Sequence, residues 1–482
     1  MFLGTLAATF LCSAAIAADA PSLIATLEGQ LASGPAGARY GLMVATAEGD
    51  PLIGIAADQR FVPASNTKIY TTAAAYAELA ALDAAAKGTA VRIVPAPDGA
   101  VDVVLHGRGD ARLSSSDDCT VDCLQTLADA VAARTRHVRD IAGDDSWYPD
   151  ERWPQGMSWN NIPSRYGTAI SALTLDDNML TAIVTPGKPG DTASVDAPAY
   201  YRFDNRVRTV PGSERHISAD RAPNRDLVLL TGSIGADAGP QNIHLGIDDP
   251  AHYAAWRFRA LLEARGVRVT GTVQARHRML TAADDPARRG NAAATFPPQP
   301  EMLAELPPPP LAEDMRVINK QSQNLHADLM LRRIGRMHGS GSVADGEAVL
   351  EDRMKAAGIT RESYDFSDGS GMSTYNRITP RATVGLLAWI ARQPWGTAWR
   401  ETLPVAGRDG TLRNRFKGTL LEGRLFAKTG SLNAARAVSG YMVTRSGRTL
   451  IFSALANDMT GGTDDAATAA IDRALVSIAE AL

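Results

Sequence analysis

Tyr40 to Ala57 is a largely apolar stretch broken by the polar turn Glu48-Gly49-Asp50, which predicts a strand, a turn and a returning strand. Phe61-Val62-Pro63 then leads into an alanine-rich stretch predicted as one helix from Ser65 to about Ala86. Pro63 near its start and Gly88 just past its end are suitable punctuation. The texture changes from Val91 to about Val273. Short β-type runs at Val91–Val94, Val101–Leu105, Leu227–Gly232 and Val267–Val273 are separated by Gly, Pro and Asp, with one helix near Cys123–Arg134. Pro149 to Asp226 reads as loop-heavy, and Ala283 to Pro310 as a linker ending in a proline run. Leu311 to His338 is predicted helical, as is Arg381 to Arg392. Three strands follow, at Leu425–Thr429, Ala437–Thr444 and Thr449–Ala456, the last two joined by Arg445-Ser446-Gly447. The chain closes on a helix from Asp465 with Ile471, Leu475, Ile478 and Leu482 on one face, expected to dock on its own sheet rather than on a membrane.

The sum is an α+β chain. At 482 residues it exceeds one hydrophobic core, so two or three domains are expected. Hydrophobic content of 45% and charged content of 21% are those of a folded globular protein. A formal net charge of -4 and the lack of any basic, aromatic-interleaved run argue against a nucleic-acid partner.

Phe2 to Ala18 is an apolar run ending in Ala15-Ile16-Ala17, a small-x-small cleavage pattern, although no Lys or Arg precedes it. It is too short to span a bilayer, so residues 1–17 are expected to be a signal peptide, with no stable membrane anchor and a secreted, most simply periplasmic, product. Cys12 would leave with it, and its preceding residues lack a lipoprotein cleavage pattern. Cys119 and Cys123 remain; in an oxidising compartment they read as a local disulfide, the alternative being two free thiols one helical turn apart. No matching Cys or His pair supports a metal site, and no cofactor motif is present.

The chemistry begins at Ser65-Asn66-Thr67-Lys68. Residues three apart share a helix face, which makes the Ser hydroxyl and Lys amine neighbours. A serine alcohol needs an adjacent base, and a lysine of lowered pKa can serve. By itself the pattern is equally that of a surface Ser and Lys. Two further elements follow in order: Ser322-Gln323-Asn324, and Lys428-Thr429-Gly430-Ser431 at the end of a predicted strand. The chain holds only seven lysines, and two of the three elements use one. In that order they match the S-x-x-K, S-x-N and K-T-G set of serine penicillin-recognising enzymes.

About 250 residues separate Ser65 from Ser322, more than a compact β-lactamase places there. The chain resembles the D-alanyl-D-alanine carboxypeptidase/endopeptidase family, the class C low-molecular-mass penicillin-binding proteins. Arg316–Leu325, Asp368–Ser373, Tyr375–Pro380, Leu403–Gly407 with Asp409–Leu412, and Ser171–Leu173 with Asp177-Asn178 also look like the family, so the resemblance runs from about Tyr40 to the C-terminus. It implies a penicillin-binding, serine β-lactamase-like core, an antiparallel sheet flanked by helices, with largely β inserted domains. The expected layout is a split catalytic domain at 18–75 and 311–482, an inserted domain at 76–105 and 200–310, and a nested one at 106–199.

The resemblance also implies roles. Ser65 would attack the D-Ala-D-Ala carbonyl of peptidoglycan stem peptides, Lys68 would act as base, Ser322 would relay a proton to the departing amine, and Lys428 would tune it. Asn324 would bind the substrate backbone and Thr429 and Ser431 its carboxylate, with Gly430 allowing close approach. The N–H groups of Ser65 and Ser431 would form the oxyanion hole. β-Lactams would be covalent inhibitors. Some family members hold the amine of diaminopimelate with an acidic residue from an inserted domain, whereas Trp159-Asn160-Asn161 carries Asn there.

Other candidates read as scaffolding. Ser370, Ser340 and Ser342 lie in glycine-rich turns without the G-x-S-x-G setting. Asp144-Asp145 reads as a solvated turn, and His326 as a surface or core histidine outside any triad. The rival functions are a non-catalytic peptide-binding module on the same fold, which has no need of these four residues, and a β-lactamase or esterase.

Overall fold

A computed structural model describes residues 21–296, 298–308 and 310–482; the expected signal peptide and Cys12 lie outside the described residues. Packing divides the chain into two units. One comprises the chain through Ala77, Met315–Gln323 and Leu350–Leu482; the other comprises Glu78–Asp314 and Asn324–Val349.

The first unit is built on a five-stranded antiparallel sheet in the order Leu425–Leu432, Ala435–Val443, Thr449–Asn457, Arg39–Thr46, Pro51–Ile55. Period-two alternation sorts its two faces. Val438, Met442, Leu450, Phe452 and Ala454 share a core with Ile471, Leu475 and Ile478 of the helix Asp464–Ala481 and with Leu27 and Leu31. On the opposite face Tyr441 donates to the Leu387 carbonyl of the helix Pro380–Ala391, and Ser439 bonds Ser453 and accepts from Asn66. That second face carries the candidate chemistry.

The second unit holds a six-stranded mixed sheet in which His137–Pro149 pairs in parallel with Val101–His106 and with Val273–Arg278. Two smaller sheets are assembled from Arg202–Asn205, Arg208–Val210, Arg215–Asp220 and Leu227–Gly235, and from Met179–Thr185, Ser194–Asp196 and Gln241–Gly246. The helices Leu124–Arg134 and Pro250–Ala264 bury Leu127, Val131, Phe258 and Leu262 in its core. Cys119 and Cys123 are disulfide-bonded, with Cα atoms 5.7 Å apart. Among the described residues no helix is long and apolar enough to cross a membrane, and no cluster is suited to a metal ion.

Several sequence expectations need correction. The helix from Ser65 is a 3-10 turn, Ala64–Asn66, followed by Thr67–Ala77 and a separate helix Leu79–Ala85; it breaks at Glu78, where the chain leaves one unit for the other. Leu311–His338 is two helices, Leu311–Lys320 and Asn324–His338, because Ser322 takes a left-handed φ of 61° that a helix cannot pass through. The loop-heavy stretch contains Met179–Thr185, where Leu180, Ala182 and Val184 point inward. Asp144-Asp145 is no solvated turn. It lies within the strand His137–Pro149, where Asp145 accepts from Ser171 Oγ (2.8 Å) and pairs with His277 (2.9 Å).

Candidate active site

The segment entering Ser65 is pinned from both sides. Phe61 and Ile378 exchange backbone hydrogen bonds of 2.8 and 3.0 Å, and Val62 donates to Asn457 Oδ1 (2.7 Å), whose Nδ2 returns a bond to the Val62 carbonyl. Ala64 then adopts φ 48°, an unfavourable conformation for a residue with a Cβ, costing on the order of 1–3 kcal/mol. Two glycines admit that turn. A Cβ on Gly371 would overlap the Ala64 carbonyl, and one on Gly430 would stand 2.5 Å from the Pro63 carbonyl oxygen. Gly430 thus admits the backbone that leads into Ser65.

One turn later, buried Lys68 reaches back to place Nζ 2.9 Å from Ser65 Oγ and donates to the Ser370 carbonyl at 2.6 Å. Lys428, equally buried, donates to Ser322 Oγ and to the Thr429 carbonyl, both at 2.9 Å. Burial, and then the charge of Lys68, push the Lys428 amine well below the ordinary lysine range. The first unit therefore brings two Ser–Lys pairs into one electrostatically coupled group.

Supporting residues fix this geometry. Thr72 receives the indole N–H of Trp399 (3.0 Å) and an amide of Asn319 (3.3 Å), while Asn319 also donates to Thr402 (2.7 Å); these bonds tie the Lys68 helix to the residue three before Ser322. Lys320 pairs with Asp409 at 2.6 Å. Buried Asp368 accepts from the N–H groups of Gly371 (2.8 Å) and Ser373 (2.6 Å) and from Asn376 (2.5 Å), shaping the loop that offers the Ser370 carbonyl to Lys68. Thr429 donates to Thr411 Oγ1 (2.6 Å), and Ser431 is exposed on the same strand.

Among the expected substrate-binding residues, Asn324 belongs to the second unit, where its Nδ2 donates to the Tyr166 carbonyl (3.0 Å). His326 is buried and pairs with Asp177 at 2.9 Å. Ser340 and Ser342 are buried turn residues bonded to Asp345 and to the Asp284 carbonyl. Asp368 and Thr411 lie within Asp368–Ser373 and Asp409–Leu412, two segments that resemble the family; the sequence signal for Asp368 is an Asp followed at once by the glycine-rich turn Gly369-Ser370-Gly371.

The model of the D-Ala-D-Ala carboxypeptidase 3 (S13) family matches residues 23–482. The chain belongs to that family. It is 33% identical over 443 residues to the D-alanyl-D-alanine carboxypeptidase of Actinomadura sp. (strain R39), covering 87% of this chain and 78% of the relative. It is 24% identical over 339 residues to the D-alanyl-D-alanine carboxypeptidase DacB of Haemophilus influenzae, covering 67% and 66%. In fold it matches the crystal structure of penicillin binding protein 4 from Haemophilus influenzae with a TM-score of 0.76 at 20% identity, covering 93% of this chain and 98% of that one. Membership of the S13 family makes this chain a serine-type DD-peptidase on a penicillin-binding-protein fold, as the three motifs implied.

Proposed function

We propose that Ser65 is the nucleophile of a D-Ala-D-Ala carboxypeptidase, with endopeptidase action on cross-links, exported to the cell-wall compartment. The observation that carries this reading is the Ser65–Lys68 pair at 2.9 Å beside the Ser322–Lys428 pair at 2.9 Å.

Lys68 acts as the base that takes the Ser65 proton as Oγ forms its bond to the carbonyl carbon of the penultimate D-alanine. The N–H groups of Ser65 and Ser431 receive the developing oxyanion, an arrangement worth about 3–4 kcal/mol of barrier. Collapse breaks the C–N bond, and the proton held by Lys68 is relayed through Ser322, tuned by Lys428, to the departing amine. Water then attacks the ester carbonyl, its hydroxyl leaving in the product acid and its other proton going to Ser65 Oγ. Asn324 holds the substrate backbone, and Thr429 and Ser431 its terminal carboxylate. A β-lactam follows the same first half and stays as an ester.

Intact-protein mass after incubation with benzylpenicillin tests this. An adduct on the wild type that is absent from Ser65→Ala supports it. No adduct with penicillin intact would promote the binding module, and no adduct with penicillin consumed would indicate a β-lactamase.

A further inference from the structure

We infer that the second unit carries a binding site of its own for an N-acylated carboxylate on an apolar or sugar body, apart from the Ser65 machinery. A small, half-open cleft of about 190 Å³ is lined wholly by residues of that unit.

Its lining contains four cations and no acid. Two are spoken for: Arg108 pairs with Glu305 (2.8 Å), and Arg333 bonds the Gly109 carbonyl (2.8 Å) and lies 3.4 Å from Asp314. Arg336 is different. Its guanidinium is half-buried between the rings of Trp147 and Phe296, 4.7 and 3.2 Å from their centroids, and among the described residues no carboxylate pairs with it. Its Nε, like that of Arg108, is buried without an acceptor. Exposed Lys87 likewise has no ion pair among the described residues. A half-buried guanidinium whose Nε–H lacks an acceptor is unfavourable until an anion or water completes it.

The walls narrow the choice of anion. Leu82, Leu311 and Trp147 supply apolar surface, and Met337 stays 40% exposed at the cleft, a side chain that moulds itself to varied shapes. The guanidinium fork suits a carboxylate. A free amino acid is disfavoured, because its ammonium would meet only cations. An acid whose nitrogen is acylated keeps the carboxylate and removes that penalty. The inference does not depend on acylation of Ser65.

The test is calorimetric titration of the full chain with N-acetylmuramic acid, which joins a carboxylate to an N-acylated sugar. N-acetylglucosamine, which lacks the carboxylate, and D-alanine, a zwitterion, are the controls. Binding of N-acetylmuramic acid alone, lost at least tenfold in Arg336→Gln and unchanged in Ser65→Ala, is the expected result. Absence of binding, equal binding of N-acetylglucosamine or D-alanine, or retained affinity in Arg336→Gln would overturn it. Lys87→Gln, at an exposed position, provides a second variant should Arg336→Gln fail to fold; its expected effect is a threefold or greater loss, and an unchanged affinity there counts against the site.

Discussion

Gly371 faces the carbonyl of Ala64 so closely that no side chain fits between them, and its own φ of 89° is left-handed. A loop 300 residues away in sequence is thereby pressed against the turn that presents Ser65. Gly371→Ala must push that turn aside. The expected outcome is a fall of about 100-fold in the rate of penicillin acylation, the scale of an ångström-sized misplacement, with secondary structure kept. Stopped-time mass spectrometry with circular dichroism checks both.

Lys428 separates activity from stability. Its amine is depressed in the fold, so between that depressed value and about 10.4 the unfolded chain binds more protons and stability rises with pH. Lys428→Met removes the slope and leaves the protein at least as stable at neutral pH, since a buried amine that is costly to desolvate is replaced by an apolar chain. Acylation in the same variant falls about 100-fold or more. Urea melts at pH 7 and 9, set beside the acylation rate, give the comparison.

Asp122 is 5% exposed and neither carboxylate oxygen has a hydrogen-bond partner among the described residues. Burial, and then the charge of Asp110, raise it to about 6. From about 3.9 up to that value the folded chain binds more protons, so stability is lost as pH rises. Asp122→Asn should raise the melting temperature at pH 7.5 and change it little at pH 4. Asn also tolerates the φ of 55° found there.

His277 shows the opposite arrangement. It bridges Asp145 (2.9 Å) and Asp249 (3.2 Å), and hydrogen bonds to these carboxylates raise it to about 10. The stability this contributes is fully present below about 6.5 and is lost as pH climbs to about 10. His277→Gln should therefore melt well below the wild type at pH 6, with the gap closing by pH 10.5.

The candidate site was legible because it rests on short motifs: order and spacing alone single out Ser65, Lys68, Ser322 and Lys428, and the fold brings them together as two Ser–Lys pairs. The core sheet was legible for a related reason, since its strands Ala435–Val443 and Thr449–Asn457 are long and nearly continuous in apolar residues. The second unit was harder to read. His137–Pro149 is a central strand disguised by Arg139, Asp140, Asp144 and Asp145, whose charges are met by Asp102, His277 and neighbouring side chains. Pro250–Ala264 went unseen although Asp249 caps it through the His252 N–H and Pro250 opens it, a start signal the composition of the region obscured. The breaks at Glu78 and Ser322 come from single non-helical residues, with φ of -123° and 61°, which helix propensity summed over a window does not encode.

Asn457 has a role in the order of assembly. It grips Val62 just before Ser65, and its strand is the one on which Arg39–Thr46 zips into the sheet. A ribosome delivers Ser65 long before Asn457. The turn ahead of Ser65 therefore gains this hold only once Thr449–Asn457 has been made, and a chain cut short before that strand is expected to form no penicillin adduct.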